Sequence, residues 1–176
     1  GSDFTFGVNK TGNISIINSL AVKYKFDISI IDNKNNISTT LLRNFLQQGK
    51  VKEFNNLTAF SEKFKIVGTV VRGMEIAGKI LGYKTANILL TKNQILPLFG
   101  VYSVNIKIDN KIYRGIANIG IKPTINDVAK PMLEVHILDF NRNIYRKKIE
   151  VQLLHFIREE KKFENLQMLK KQIEID

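Results

Sequence analysis

From Phe64 onward the hydrophobic period of this chain changes to two, and that change bounds the fold more tightly than any other feature. Val104, Ile106 and Ile108 alternate with Ser103, Asn105 and Lys107, Asp109-Asn110 makes a turn, and Lys111 to Ile121 returns as a strand. Met132 to Phe140, a turn at Asn141-Arg142-Asn143, and Ile144 to Phe156 read as a second long hairpin. Glu164 to Ile175 reads as a terminal helix burying Leu166, Leu169 and Ile173. Antiparallel strands joined by short turns and closed by one helix predict a mainly β fold, a small β-barrel.

The front third is built differently. Ile14, Ile17, Leu20, Ala21 and Tyr24 recur at three-and-four spacing, the mark of a short amphipathic helix. Phe26 to Ile31 alternates as a strand, closed by the turn-prone run Asp32-Asn33-Lys34-Asn35-Asn36. Ser38 can cap a helix through Gln48, with Gly49 at its C-terminal end. Residues 50–60 read as another short helix and a linker. Helix, strand and helix in this order fit half of an α/β domain, giving an expected division into residues 1–60 and 61–176.

The stretch that carries chemistry begins after the apolar run Ile66 to Val71. Gly73, Gly78 and Gly82 loosen a loop that also holds Lys79, and Thr85 and Asn87 follow it. A pliable loop lets backbone N–H groups approach an anion, and a lysine adds a mobile charge for phosphate. Alternate residues of an extended segment share a face, so Thr85 and Asn87 can turn toward one cation. Mg²⁺ accepts such neutral oxygen ligands when nucleotide phosphates complete its shell. The segment matches neither G-x-x-x-x-G-K-[ST] nor G-x-G-x-x-G, and an ordinary turn followed by a solvated strand is the bland alternative.

Glu134 stands mid-strand and shares a side with His136, while Leu133, Val135 and Ile137 share the other. On alternation alone it belongs to a solvated face. Tyr145 reads equally as a cross-strand core aromatic, and Arg158, Lys161 and Phe163 as a polar loop with one anchoring ring.

Composition narrows the classes. A net charge of +11 invites a nucleic-acid reading, but 21 of the 27 basic residues are lysines and they are scattered. Nucleic-acid binding is therefore not expected. The absence of cysteine excludes disulfides and thiolate metal sites, and no run of eighteen apolar residues spans a membrane. These features are read as cytoplasmic.

The block Gly68-Thr69-Val70 through Gly82-Tyr83-Lys84-Thr85-Ala86-Asn87 resembles the characteristic segment of riboflavin kinases. The resemblance continues in order through Phe99-Gly100-Val101-Tyr102, Ala117-Asn118-Ile119-Gly120 with Pro123-Thr124, and Leu133-Glu134-Val135-His136 with Asp139-Phe140. It closes with Ile144-Tyr145 and Phe156-Ile157-Arg158-Glu159-Glu160-Lys161-Lys162-Phe163. Asp3-Phe4-Thr5-Phe6-Gly7 and Ile37-Ser38-Thr39-Thr40-Leu41-Leu42-Arg43 are similar to the last two motifs of the FMN adenylyltransferase domain, which precedes the kinase in bacterial bifunctional riboflavin kinase/FAD synthetases.

The resemblance implies a six-stranded Greek-key barrel with a C-terminal helix over residues 61–176, preceded by part of an adenylyltransferase-like α/β domain. It implies ATP and riboflavin as substrates, FMN as product and Mg²⁺ as cofactor. By the same resemblance Glu134 is the catalytic carboxylate, Gly73, Gly78, Lys79, Gly82 and Tyr145 serve the nucleotide, and Thr85 and Asn87 hold the metal. Arg158, Lys161 and Phe163 then serve the flavin. The His-x-Gly-His half of the adenylyltransferase has no counterpart, so FAD synthesis is not expected from this chain alone. Lys84 stands where the family usually has proline, and Arg146 where glycine is common. Thr5 and Thr39 replace a frequent arginine and serine. A catalytically idle flavin- or nucleotide-binding regulatory module, and a basic β-barrel for single-stranded nucleic acid, are the alternatives.

Overall fold

The computed structural model describes residues 4–30, 37–58, 63–73, 84–90, 94–122, 130–161 and 163–176. The chain divides into two compact units, residues 1–39 and 40–176.

In the first unit Phe6 and Gly12 exchange backbone hydrogen bonds of 3.0 and 2.8 Å around a short 3-10 turn, Val8–Lys10. Gly12 is required there, because a Cβ would lie 2.7 Å from the Phe6 ring. Helix α1 (Ile14–Tyr24) starts where the Asn13 side chain accepts from the Ile16 amide at 3.1 Å, and it ends at left-handed Lys25. Ile14, Ile17, Leu20 and Ala21 are half-buried as the spacing predicts, but Tyr24 is exposed. The strand expected from Phe26 is not formed over residues 26–30, where Phe26 and Ile30 are both exposed. Alternation supplies a strand's faces but not its ladder, and no described segment pairs with this one. The turn expected at 32–36 lies outside the described residues.

The second unit opens with α2 (Thr39–Gln47) and α3 (Val51–Leu57). Gly49 has φ +72°, the Lys50 amide reaches the Phe45 carbonyl at 2.8 Å, and the Gly49 amide reaches that of Leu46 at 3.1 Å. That pair of bonds is a Schellman ending, and glycine adopts its left-handed position without strain. Asn55 of α3 is buried and ties the helix to the sheet. Its Nδ2 donates to the Leu153 carbonyl at 2.9 Å, and its Oδ1 accepts from the Phe64 amide at 2.8 Å.

Six antiparallel strands follow: β1 (Lys65–Val71), β2 (Thr85–Leu89), β3 (Gly100–Ile108), β4 (Lys111–Lys122), β5 (Lys130–Ile137) and β6 (Lys148–Arg158). They close in the order β1-β2-β5-β4-β3-β6. β3, β4 and β5 lie side by side and β6 returns beside β3, which is a Greek key. β1 and β2 complete the ring. The β3–β4 hairpin turns at Asp109 and Asn110, with φ of 47° and 66°, the two positive values that a tight two-residue turn requires. Inward residues of all six strands fill the interior, among them Ile66, Ile88, Tyr102, Ile106, Ile119, Leu133 and Val151. Tyr102 donates to the Leu98 carbonyl and meets Phe156 edge-on at 5.2 Å, and burial pushes its phenol pKa up.

The second hairpin expected from the sequence does not exist. β5 pairs with β2 and β4, and β6 with β1 and β3, so residues 138–147 cross an end of the barrel instead of reversing in place. Both edges of each strand are already occupied, which leaves β5 and β6 no edge to share. Ile144 is buried in this crossing, and the Val70 amide and carbonyl bond Lys147 and Arg146, each at 2.9 Å. The terminal helix α4 (Leu166–Ile175) is capped by Asn165, which accepts from the Met168 amide at 3.0 Å; Leu169 and Ile173 are half-buried.

Replacing Asn55 by Ala leaves a backbone donor and a backbone acceptor unpaired between α3 and the barrel. The substitution should cost roughly 2–4 kcal/mol. Urea unfolding with an unchanged slope and a lower midpoint would register it; an unchanged midpoint would show the clasp to be idle.

Candidate active site

Strand pairing sets one row of residues across the barrel's outer face. Val71 is opposite Asn87, Asn87 opposite Glu134, Glu134 opposite Asn118, Asn118 opposite Val101, and Val101 opposite Arg158. Neighbouring strands lie about 4.8 Å apart, so Asn87 and Asn118 flank Glu134 within side-chain reach. Alternation puts Leu133 and Val135 in the core and leaves Glu134 and His136 half-buried on the outer face, as expected. A register shift between Val101 and Tyr102 keeps Phe156 facing Tyr102 and sends Arg158 outward.

Asn87 is 6% exposed although it belongs to the outer face. Gly73 covers it, since a Cβ at that position would collide with the Asn87 amide. Gly73 thus serves close approach to Asn87 rather than a turn. The Asn87 Nδ2 makes a long 3.5 Å bond to the Thr85 carbonyl, which directs its oxygen the other way. Thr85 is exposed one pleat along, opposite His136. Two neutral oxygens beside one carboxylate, with no cluster of three His, Cys, Asp or Glu among the described residues, suit a hard cation held mainly by its substrate. The donor set fits Mg²⁺.

Beside this row lies a cavity of about 410 Å³, bounded by Val70, Thr85 and Asn87 on one side and by the β5–β6 crossing from Phe140 to Tyr145 on the other. Its rim is basic. Lys84 donates to the Asn141 side chain at 2.7 Å, and its carbonyl lies 3.1 Å from His136 Nδ1. Arg142 stacks 5.0 Å from the Phe140 ring and donates to the Tyr113 hydroxyl. Tyr145 is 39% exposed, lines the cavity and carries Arg72 over its ring at 5.8 Å, so the core-aromatic reading is set aside. An apolar recess with a cationic rim accommodates a planar group bearing phosphates.

Residues 60–176 match the family model described as Flavokinase, riboflavin kinase. The chain belongs to the riboflavin kinase family. It is 36% identical over 183 residues to the bifunctional riboflavin kinase/FMN adenylyltransferase of Haemophilus influenzae and 35% identical over 181 residues to that of Escherichia coli. Identity rises to 42% over 184 residues with the protein of that name from Buchnera aphidicola of Schizaphis graminum. Each alignment covers all of this chain and 57% of the relative, so the chain spans a little over half the length of these curated relatives. The matching part is their C-terminal portion. A crystal structure described as a macrolide-efflux protein from Streptococcus pneumoniae superposes with a TM-score of 0.79 at 33% identity, covering 100% of this chain and 57% of that one. No helix among the described residues of the present chain is long and apolar enough to cross a membrane.

The family is one of phosphotransferases that use ATP and riboflavin. Of the residues singled out in the sequence, the fold gathers Gly73, Thr85, Asn87, Glu134 and Tyr145 around one corner of the barrel. Gly78, Lys79 and Gly82 lie outside the described residues, as do Pro123 and Thr124. Arg158 is the last residue of β6, at the far end of the row from Asn87, and Lys161 and Phe163 follow it beyond the strand. Arg158 is held by a bidentate pair with Asp176, at 2.7 Å from Nη2 and 2.9 Å from Nε, while Phe163 lies 5.7 Å from its guanidinium. Lys161 is exposed. Sequence reading missed Asn141 and Arg142 as site residues because it assigned them to a simple turn. It also gave no role to Asn118 and Glu160, whose Nδ2 and Oε1 are bonded at 2.9 Å. The signal for Asn118 was its place in the Ala-Asn-Ile-Gly block, but only the β4–β5 register sets it beside Glu134.

Asp176 closes α4 onto the end of β6. Burial alone would raise its pKa, but hydrogen bonds from Arg158 and Gln172 and the nearby positive charges outweigh that and hold it below the usual carboxylate range. A depressed folded-state pKa gives stability that is present above the unfolded value of about 3.9 and is lost as pH falls through the folded value. Asp176→Asn should therefore lower stability near neutral pH, with the deficit shrinking toward zero in acid. A pH series of thermal unfolding compares the two proteins; a deficit independent of pH would refute the clamp.

Proposed function

We propose that this chain transfers the γ-phosphoryl group of ATP to the 5′-hydroxyl of riboflavin, giving FMN and ADP. The observation that carries the reading is the row Asn87–Glu134 beside a cationic cavity, in a chain of the riboflavin kinase family. Phosphoryl transfer asks a protein mainly for positioning and charge neutralisation. The cavity between β2 and the β5–β6 crossing receives the nucleotide, with Tyr145 and Phe140 against its base and Lys84 and Arg142 toward its phosphates. Thr85 and Asn87 would hold Mg²⁺, which when bound neutralises phosphate charge.

The Glu134 carboxylate accepts the proton of the ribityl hydroxyl as its oxygen bonds to phosphorus. The bond from the γ-phosphorus to the bridging oxygen breaks, and ADP leaves with the electron pair. The flavin ring lies toward the β6 end of the row, against Phe163 and Lys161. Arg158 supports that end through α4. Residues 1–60 are assigned to the C-terminal part of an adenylyltransferase-like domain, with residues 61–176 as the kinase. In a full-length protein the preceding adenylyltransferase half would consume the FMN, and the chain acts in the cytoplasm without nucleic-acid or membrane partners.

Formation of FMN from riboflavin and Mg-ATP is the direct test, with Glu134→Gln as its control. The variant keeps the side chain's shape and removes the proton acceptor, so kcat should fall roughly 10²–10⁴-fold while both substrates still bind. Turnover within a few-fold of wild type would dismiss Glu134 as the base. Asn87→Ala should raise the Mg²⁺ concentration giving half activity, with a smaller loss at saturating metal. Superimposable Mg²⁺ titrations would remove Asn87 from the metal site.

A further inference from the structure

Asn118 Oδ1 is a buried side-chain acceptor with no hydrogen-bond partner among the described residues. Native structures leave few such atoms unpaired, and each costs free energy that a donor would recover. Its amide cannot turn freely to relieve this, because Nδ2 donates to Glu160 Oε1 at 2.9 Å. Glu160 is itself set by the backbone beneath it. Its carboxylate lies over Gly120, where any Cβ would collide with it. Gly120 and Asn118 occupy the same face of β4, two residues apart, so one arm of the chain covers both.

The register puts this orphaned oxygen next to the proposed base, since Asn118 is directly opposite Glu134. It also lies between Glu134 and Arg158 in the row, between the reacting hydroxyl and the flavin end of the site. A chain of hydroxyl groups running along that row brings donors and no net charge to this point. Glu134 and Glu160 would repel an anion here, and a cation would prefer either carboxylate to an amide oxygen.

Resting on the kinase reading above, we infer that Asn118 is a specificity residue, its Oδ1 accepting a hydrogen bond from a secondary hydroxyl of the substrate's polyol chain. Glu160 holds the amide so that oxygen rather than nitrogen is offered. Glu160 is exposed, on the run between β6 and α4. A site built to bond a hydroxyl discriminates strongly against an analogue that lacks it, because the buried acceptor is again left unpaired.

The test compares two flavins with the same ring: riboflavin, and lumiflavin, in which a methyl group replaces the polyol chain. Flavin fluorescence quenching gives both dissociation constants without any turnover. Asn118→Leu keeps approximate size and removes the acceptor. It should weaken riboflavin about tenfold or more and lumiflavin less than twofold, with a Tm no lower than wild type. Glu160→Ala, at an exposed position that folding tolerates, frees the amide and should move the ratio of the two constants the same way by a smaller factor. An unchanged ratio in both variants, or equal weakening of both flavins, overturns the inference while the kinase reading stands. If the wild-type chain binds neither flavin, the kinase reading itself fails, and the inference with it.

Discussion

Closure of the six-stranded ring is the constraint on which the rest depends. Once every strand edge is paired, register is no longer adjustable, because a slip of one residue would turn core side chains outward around the whole barrel. Leu133 and Val135 fill the interior from β5, and that alone obliges Glu134 to stand outside between them. The same argument fixes Asn87 from Ala86 and Ile88, and Asn118 from Ala117 and Ile119. The row is the outer projection of the core, and its precision is inherited from core packing.

The two amides of that row are arranged alike. Asn87 uses its nitrogen along its own strand, and Asn118 uses its nitrogen on Glu160, so both amides keep an oxygen. Around the cavity the arrangement is reversed. Lys84 and Arg142 are anchored by an amide oxygen and by aromatic groups, uncharged partners that orient them. Acceptors thus gather along the row, and cations around the cavity.

Much of this was legible in the chain. Alternation identified β3, β4 and the inward face of β5, and the αL glycine at 49 ended α2 where the sequence placed it. Glu134, Thr85 and Asn87 were singled out by motif, and the β2–β5 register makes them neighbours, yet the residues alone favoured a solvated face for Glu134. What failed was pairing. Phe26 to Ile30 alternates well but forms no strand, since alternation describes faces and says nothing of a ladder partner. The β5–β6 hairpin failed for the complementary reason, as sequence adjacency suggested a partner that the closed ring assigns elsewhere. The place of Asn118 beside Glu134 was invisible because it is a cross-strand relation.

The pairing of β1 with β6 has a consequence for biosynthesis. Lys65 is opposite Gln152, 87 residues later (152 − 65), so the ring's last seam joins its first strand to its last. A chain leaving the ribosome from its N-terminus holds β1 with one edge unfilled until β6 has emerged. Contacts at such separation carry a loop-closure cost that local turns do not, and they slow folding. Hydrophobic residues of β1 therefore wait through the synthesis of the other five strands without their final neighbour, in the interval when an open strand edge is most exposed to other chains.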